Sequence, residues 1–258
     1  MRAQKLALGL LALNLSLPMA AQADMFKPGI KDQIALGKRA AAQVRKEEKD
    51  LPDDDAKVRE VRRLGAKLVA LIPEAEKKKK PFEYTFDVID SKELNAFALP
   101  GGPIFIYSGL LDKLKTEDEV VGILAHEITH IRNEHWASAY ADNQKRKLGI
   151  TVLLTVFNAS DTMFNVAGIS DTLIFELPYS RKHESEADKV GYDLAVKADY
   201  NPQGMVDVFR VLMKESKGGG KGNEWLSDHP ALESRIQKID ERMKKESRSF
   251  PTMVPRKT

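Results

Sequence analysis

The chain has 258 residues, of which 42% are hydrophobic and 31% are charged, and its formal net charge is +3. These proportions are typical of a soluble globular protein with a sizeable core, and so small a net charge argues against a nucleic-acid partner. The absence of cysteine excludes disulfides, and any metal site must use histidines and carboxylates rather than thiolates.

Residues 1–23 are typical of a secretory signal peptide. Two basic residues precede a central apolar stretch, and Ala21 and Ala23 supply the small residues that a signal peptidase recognises. We predict cleavage before Asp24, and therefore export, with residues 24–258 as the mature chain. The alternative is a membrane anchor, which is disfavoured because the apolar stretch is short of the roughly 20 residues that span a bilayer.

The first part of the mature chain predicts two helices and then two strands. Amphipathic patterns predict helices at 30–50 and 55–73, followed by a linker or turn at Lys77–Pro81. Alternating aromatic and branched residues predict a strand at 83–90. After the strong turn signal of Pro100 to Pro103, a second strand is predicted at Ile104–Tyr107.

Helical patterns dominate from Ser108 onward. A helix that Thr116 or Asp118 can cap carries the central motif described below. Further helices are predicted at 180–198, 202–215 and 231–245. A mobile glycine-lysine loop is predicted at 217–222, and the tail after the last helix is polar. The fold class is therefore α+β, mostly helical, with one small sheet.

Residues 145–157 are nearly all apolar, and the uninterrupted part at 148–157 is too short to span a bilayer. The simpler interpretation is a buried helix. A lid or a helix that touches a membrane surface is the alternative, which would add a peripheral membrane contact.

The central motif is His126-Glu127-Ile128-Thr129-His130. On a helix, histidines four residues apart project from the same face, and both can reach one zinc ion at about 2.0–2.1 Å. Glu127 follows the first histidine, where its carboxylate can reach metal-bound water. The alternative is a surface helix that carries these residues by chance, and the apolar flank Val121–Ala125 argues against it.

A catalytic zinc needs three protein ligands and one open position, and the segment Tyr179–Asp188 offers the third ligand. On a helix Glu184 and Asp188 share a face, so Glu184 can bind the metal while Asp188 accepts a hydrogen bond from a ligand imidazole. Glu186 points about 200° away from Glu184. His183 is the rival ligand, although a solvent-facing histidine is the favoured interpretation.

Together the two motifs resemble the gluzincin metalloproteases that include the CAAX prenyl protease, the heat-shock protease HtpX and the mitochondrial protease Oma. Three more features are similar to that family: Asn95–Gly102, Ser108–Leu111 and the pair His229-Pro230 followed by Arg235. The resemblance covers about residues 60–240. Without transmembrane helices after the signal, the chain looks closer to soluble periplasmic members such as BepA and LoiP.

The resemblance implies a zincin-type metalloprotease domain with its small sheet beside the motif helix. Residues 24–258 would form one catalytic domain with a core at about 60–246. It implies one zinc ion per chain, held by His126, His130 and Glu184, with Glu127 as the general base and with a periplasmic location.

The resemblance also gives roles to two residues near the C-terminus. His229 and Arg235 are the catalytic candidates for stabilising the oxyanion that forms during peptide hydrolysis. His229 has a second predicted role, because in soluble relatives a histidine in this loop can occupy the open zinc position and restrain activity.

We expect the Ile104–Tyr107 strand to lie at the edge of the sheet, where an extended polypeptide could add as another strand. The predicted substrate-binding residues are therefore Asn95, Ile104, Phe105 and Ile106. The alternative is simple core packing, and both can hold because alternate faces of a strand differ. Such binding implies unfolded or flexible substrates.

The predicted function is a zinc-dependent endopeptidase that degrades misfolded or misassembled cell-envelope proteins, outer-membrane proteins among them. A periplasmic chaperone-like assembly factor with a largely silent zinc site is the main alternative. A purely structural zinc protein is disfavoured by Glu127, because a structural site needs no base and is normally closed by a fourth ligand.

Overall fold

A computed structural model describes residues 26–156, 177, 179–217, 224–246 and 248–257, without the side chains of 148–156, 216, 217 and 224. The predicted signal peptide and most of the predicted glycine-lysine loop lie outside the described residues. The side chains of the apolar stretch at 148–157 lie outside them as well.

The chain divides into two compact units. The larger comprises residues 30–136 and 169–258, and the smaller comprises 1–29 and 137–168. The prediction of a single catalytic domain stays a prediction. Every site residue discussed below belongs to the larger unit. Within the part of the chain that the structure describes, no helix is long and apolar enough to cross a membrane.

Helices form most of the described chain, and three short strands form its sheet, which confirms the predicted α+β class. The strands are β1 (Thr85–Ile89), β2 (Ala96–Ala98) and β3 (Pro103–Tyr107). The helices are α1 (Ile30–Glu47), α2 (Ala56–Ala70), α3 (Glu74–Lys79), α4 (Ser108–Lys113), α5 (Glu117–Arg132), α6 (His135–Val156), α7 (Arg181–Lys197), α8 (Gln203–Lys217), α9 (Glu224–Asp228) and α10 (Leu232–Lys245).

Helix α3 lies where the sequence predicted a linker. Pro73 precedes its first residue, and its fixed φ suits a helix start. Acidic residues occupy the first turn and lysines occupy the last turn, an order that complements the helix dipole. The run of lysines was therefore a helix C-terminus rather than a turn.

The sheet has the order β1-β3-β2, so the expectation that Ile104–Tyr107 lies at the edge is wrong. Strand β3 is central, since it pairs in parallel with β1 and antiparallel with β2. Its backbone groups are used on both sides, and Ile104, Phe105 and Ile106 are fully buried. These three residues therefore cannot pair with an added substrate strand, and core packing explains them.

Strand β2 is an outer strand of the sheet, and among the described residues no strand pairs with the edge that faces away from β3, which is called the free edge of β2 below. Backbone bonds from Leu99 N to Pro103 O (2.8 Å) and from Tyr107 N to Asn95 O (2.9 Å) fix the ladder with β3. In an antiparallel pair, alternate residues bond to the partner strand. The backbone groups of Ala96 and Ala98 therefore face away from β3.

Helix α5 carries the central motif and is buried along nearly its whole length. Its start is fixed by a capping box, in which Thr116 and Glu119 satisfy each other's backbone N–H groups. Gly122 allows α8 to pack closely, because a Cβ at this position would lie 2.7 Å from backbone atoms of Met205. The motif therefore lies on a rigid helix in the core.

Candidate metal centre

Four buried side chains converge at the motif helix: His126, His130, Glu184 and His229. His126 Nε2 lies 3.0 Å from His130 Nε2 and 3.2 Å from His229 Nδ1. Glu184 Oε1 lies 3.4 Å from His130 Nε2 and 3.1 Å from His229 Nδ1. One ligand atom from each residue lies within 4.8 Å of all the others.

The cluster fits a single metal ion. A tetrahedral zinc site with bonds of about 2.0 Å separates its ligand atoms by about 3.3 Å, and the contacts above span 3.0 to 3.4 Å. Three imidazoles and one carboxylate form a donor set that zinc prefers.

Charges within the cluster suit a cation. Burial and the neighbouring histidines hold the pKa of His130 well below its usual 6.5, so its ring is neutral. Burial alone would raise the pKa of Glu184, but His229, His126 and Arg235 outweigh it and lower that pKa. A neutral imidazole and an ionised carboxylate are the forms that bind metal.

Asp188 lies behind His126, as predicted from its helical spacing. Its Oδ1 is 3.1 Å from His126 Nδ1, so the imidazole donates from Nδ1 and presents the lone pair of Nε2 to the cluster. Helix α7 positions both acids: Ser180 caps its start, and Glu184 and Asp188 then share its buried face, one turn apart. Glu186 is on the other side and is exposed.

Arg235 contacts two of the acidic residues of helix α7, Asp188 and Glu184. Its Nε and Nη2 each donate to Asp188 at 2.7 Å, and its Nη1 contacts Glu184. Its guanidinium lies over the ring of Phe209. The shortest contacts of Arg235 are thus with carboxylates, and its predicted contact with an oxyanion stays a prediction.

Glu127 is fully buried beside the cluster. Trp225 Nε1 lies 3.4 Å from Glu127 Oε1 and donates to it, and His229 Nε2 lies 3.7 Å from the same oxygen. The other oxygen, Oε2, has no hydrogen-bond partner among the described residues. Burial raises the pKa of Glu127, which suits a group that must take up a proton.

His229 follows the short helix α9. Its backbone N–H donates to Trp225 O at 2.8 Å, and its ring stacks on Trp225 with centroids 4.3 Å apart. Burial opposes a raised pKa, but Glu184 and Glu127 raise the pKa of His229 nevertheless. The structure thus places His229 at the cluster, while His183, the rival ligand, stacks on His135 outside it.

A cavity of about 260 Å³ adjoins the cluster. Its lining includes Asn95, Phe97 and Ala98 from the β2 region, His229 from the cluster, and Tyr179. Asn95, a predicted substrate-binding residue, lines this cavity, and its Oδ1 accepts a hydrogen bond from Ala96 N at 2.8 Å. The cavity therefore extends from β2 to His229 of the cluster.

Three residues of the site escaped the sequence analysis. Trp225 precedes His229 by four residues, a helical spacing that could have identified it. Tyr179 stacks on His130 with ring centroids 3.9 Å apart, and burial raises the pKa of its phenol. His135 contacts His130 but lies five residues after it, which on a continuous helix is a different face.

The site is one that a metal-dependent hydrolase requires, with two histidines that could bind a metal lying one turn apart on a buried helix. Residues 56–243 match the model of Peptidase family M48. The chain belongs to this family and is a metalloprotease.

Curated relatives agree with the family. The putative beta-barrel assembly-enhancing protease of Vibrio cholerae is 32% identical over 200 residues, which are 74% of this chain and 39% of that protein. Its counterpart in Yersinia pestis is 31% identical over 183 residues, 67% of this chain and 36% of the relative. The mitochondrial metalloendopeptidase OMA1 of Schizosaccharomyces pombe is 32% identical over 162 residues, 62% of this chain and 46% of the relative. The matches thus cover less than half of each relative's length.

Proposed function

We propose that the chain is a zinc-dependent endopeptidase with its metal held by His126, His130 and Glu184. When bound, zinc supplies a Lewis acid that activates water and polarises a peptide carbonyl. The carboxylate of Glu127 takes a proton from the attacking water and passes it to the leaving amine. The observation that carries the proposal is the buried Glu127 beside a cluster that could hold a metal ion, with one carboxylate oxygen that has no hydrogen-bond partner among the described residues.

His229 has a regulatory part in this proposal. Its Nδ1 lies 3.2 Å from His126 Nε2 and 3.1 Å from Glu184 Oε1. It would therefore fill the fourth coordination position of the metal at rest and restrain activity until a substrate displaces it. Arg235 acts through two carboxylates: it holds Asp188 against the ligand His126, and it contacts the ligand Glu184 directly.

The substrate is an extended polypeptide that pairs with the free edge of β2. The backbone of Ala98 faces away from β3, and the cavity beside it leads to the cluster. Main-chain pairing of this kind selects unfolded or flexible segments over any particular sequence.

The physiological substrates that we propose are misfolded or misassembled envelope proteins, outer-membrane proteins among them, in the periplasm. The support is the character of residues 1–23 and the names of the bacterial relatives, which are beta-barrel assembly-enhancing proteases. Contact with a membrane surface through 148–157 is part of the same proposal.

The test is the Glu127→Gln variant, compared with the wild type in metal content and in cleavage of unfolded casein. We expect the wild type to hold one zinc and to cleave casein until a chelator is added. The variant should keep its zinc and lose cleavage by more than about 100-fold, because the general base is gone. Retained cleavage in the variant would refute the assignment of Glu127. A wild type that binds zinc without cleaving would favour an assembly factor with a silent site.

A further inference from the structure

His130 needs a hydrogen-bond acceptor behind it. Its Nε2 faces the cluster, 3.0 Å from His126 Nε2, so the lone pair that binds a metal must be on Nε2 and the proton on Nδ1. A ligand imidazole ordinarily donates this proton to a carboxylate, a backbone carbonyl or water. Asp188 does this for His126, and no carboxylate in the described residues does it for His130.

The acceptor is a third imidazole. His130 Nδ1 lies 3.1 Å from His135 Nδ1, and both rings are buried. Two ring nitrogens at this distance require one donor and one acceptor. Because His130 donates from Nδ1, His135 accepts at Nδ1 and carries its own proton on Nε2.

A carboxylate lies near this second nitrogen, at ion-pair distance. His135 Nε2 is 3.5 Å from Glu186 Oε2, and Asn133 Nδ2 donates to the other oxygen of Glu186 at 3.0 Å. The negative charge of Glu186 favours the tautomer of His135 that carries its proton on Nε2. Glu186, which faces away from the cluster, therefore acts on the cluster through His135.

The backbone is bent to bring His135 to this position. On a continuous helix, a residue five positions after His130 would project about 140° away from it. Helix α5 ends at Arg132, and Glu134 has a φ of 55°, in the left-handed region that a non-glycine residue adopts at a cost of about 1 kcal/mol. Contacts from Gln33 Nε2 and Lys80 Nζ to the Glu134 carboxylate, both at 2.9 Å, stabilise this turn.

The ring of His135 is also fixed in its orientation. It stacks on His183 with centroids 4.6 Å apart and an angle of 14° between the rings. It meets the His130 ring edge-on, at 81°. With its ring held in this orientation, His135 directs the lone pair of its Nδ1, which lies in the ring plane, toward the proton on His130 Nδ1.

We propose that His135 is a positioning residue that holds the His130 imidazole in the tautomer and orientation that present Nε2 to the metal, with Glu186 fixing the tautomer of His135. The inference rests on the proposed function, since it concerns the same metal site. The cluster then has two supporting arms, one through Asp188 and Arg235 behind His126 and one through His135 and Glu186 behind His130.

The test compares His135→Phe with His135→Asn, both in the Glu127→Gln background so that cleavage plays no part. Phenylalanine keeps a ring against His183 but offers no acceptor, whereas the side-chain oxygen of asparagine can take the place of Nδ1. Zinc affinity is measured by competition with a chromophoric chelator. We expect the Phe variant to bind zinc about 10- to 100-fold more weakly and the Asn variant to recover most of that loss.

Nitrogen NMR of the metal-free protein gives a second readout that a packing role would not change. We expect the proton of His130 to be on Nδ1 in the parent chain and in the Asn variant, and to be shared between both nitrogens in the Phe variant. Affinity in the Phe variant equal to that of the parent would overturn the proposal. So would an equal loss in the Phe and Asn variants, because the acceptor would then make no difference.

Two further variants keep the test decisive if His135→Phe fails to fold. Glu186→Ala changes an exposed side chain, and we expect it to weaken zinc binding and to alter the tautomer of His135; no change in either would overturn the role of Glu186.

His183→Phe is the control, because it keeps the stacked ring and should leave zinc affinity unchanged. A loss there as large as in His135→Phe would assign the effect to the stack. Failure of the proposed function would appear differently, as zinc bound without cleavage by the wild-type chain.

Discussion

Arg235 and Asp188 form a buried ion pair with two parallel hydrogen bonds, from Nε to Oδ2 and from Nη2 to Oδ1, each 2.7 Å long. The remaining nitrogen of Arg235 contacts Glu184. One guanidinium therefore fixes a predicted metal ligand and the residue that orients another. This fork geometry is specific to arginine, since a lysine offers a point charge.

The first prediction concerns Arg235→Lys. We expect zinc affinity to fall about tenfold, because Asp188 and Glu184 are no longer held together, and the metal-free chain to lose about 3 kcal/mol of unfolding free energy. Chelator competition and urea unfolding measure the two effects. If Arg235 instead acted only on the oxyanion, the variant would keep its zinc affinity and lose kcat alone.

The second prediction concerns His229→Ala. Because His229 Nδ1 contacts both His126 and Glu184, its removal should leave one coordination position to water and raise cleavage of a short unfolded peptide severalfold. The absorption spectrum of the cobalt-substituted protein reports the coordination change. The restraint is refuted by an unchanged cobalt spectrum together with unchanged activity.

The positions of the candidate metal ligands on shared helix faces could be predicted because helical spacing is a local property. His126 and His130 lie one turn apart, as do Glu184 and Asp188, and each pair shares a face in the structure. That the two helices meet is a tertiary fact, which the family resemblance supplied. The family is confirmed, whereas the roles of the individual residues stay predictions.

The errors came from properties that a local pattern does not contain. The short apolar sequence of β3 does not show whether the strand lies at the edge or at the centre of a sheet. Only its pairing with both β1 and β2 shows that it is central. His135 was missed because its contact with His130 depends on one left-handed residue, Glu134. Glutamate rarely adopts that conformation, so the sequence gives no sign of the bend.

The third prediction concerns pH and the contact between helix α3 and the end of the motif helix. Arg132 donates two hydrogen bonds to Glu76, 2.8 and 2.7 Å long, and these bonds hold the pKa of Glu76 below its usual 4.5. The ionised pair therefore contributes its full stabilisation when the pH is above the usual pKa of 4.5. This contribution is lost as the pH falls through the lowered pKa of Glu76 in the folded protein.

We expect Glu76→Gln to reduce the unfolding free energy by about 1 kcal/mol near neutral pH, and the difference from wild type to disappear once Glu76 is protonated. Urea unfolding as a function of pH measures it. Glu74→Gln is the matched control on the same helix, because Glu74 is mostly exposed and pairs only with Lys77 among the described contacts. A Glu76 effect that persisted in acid would show that packing, and not charge, accounts for it.

The last prediction tests the free edge of β2. Proline at Ala98 removes the one backbone donor that faces away from β3 at this position, and proline is tolerated at strand edges where the N–H is outward. We expect Ala98→Pro to lower kcat/KM for an unfolded polypeptide about five- to tenfold, since one main-chain hydrogen bond contributes about 1 kcal/mol. Ala98→Ser keeps the donor and should behave as the wild type. Zinc content must stay the same in both variants, because β2 contributes no residue to the metal cluster. If the proline and serine variants cleave equally well, the substrate does not pair with β2, and the cavity beside Asn95 must bind it through side chains alone.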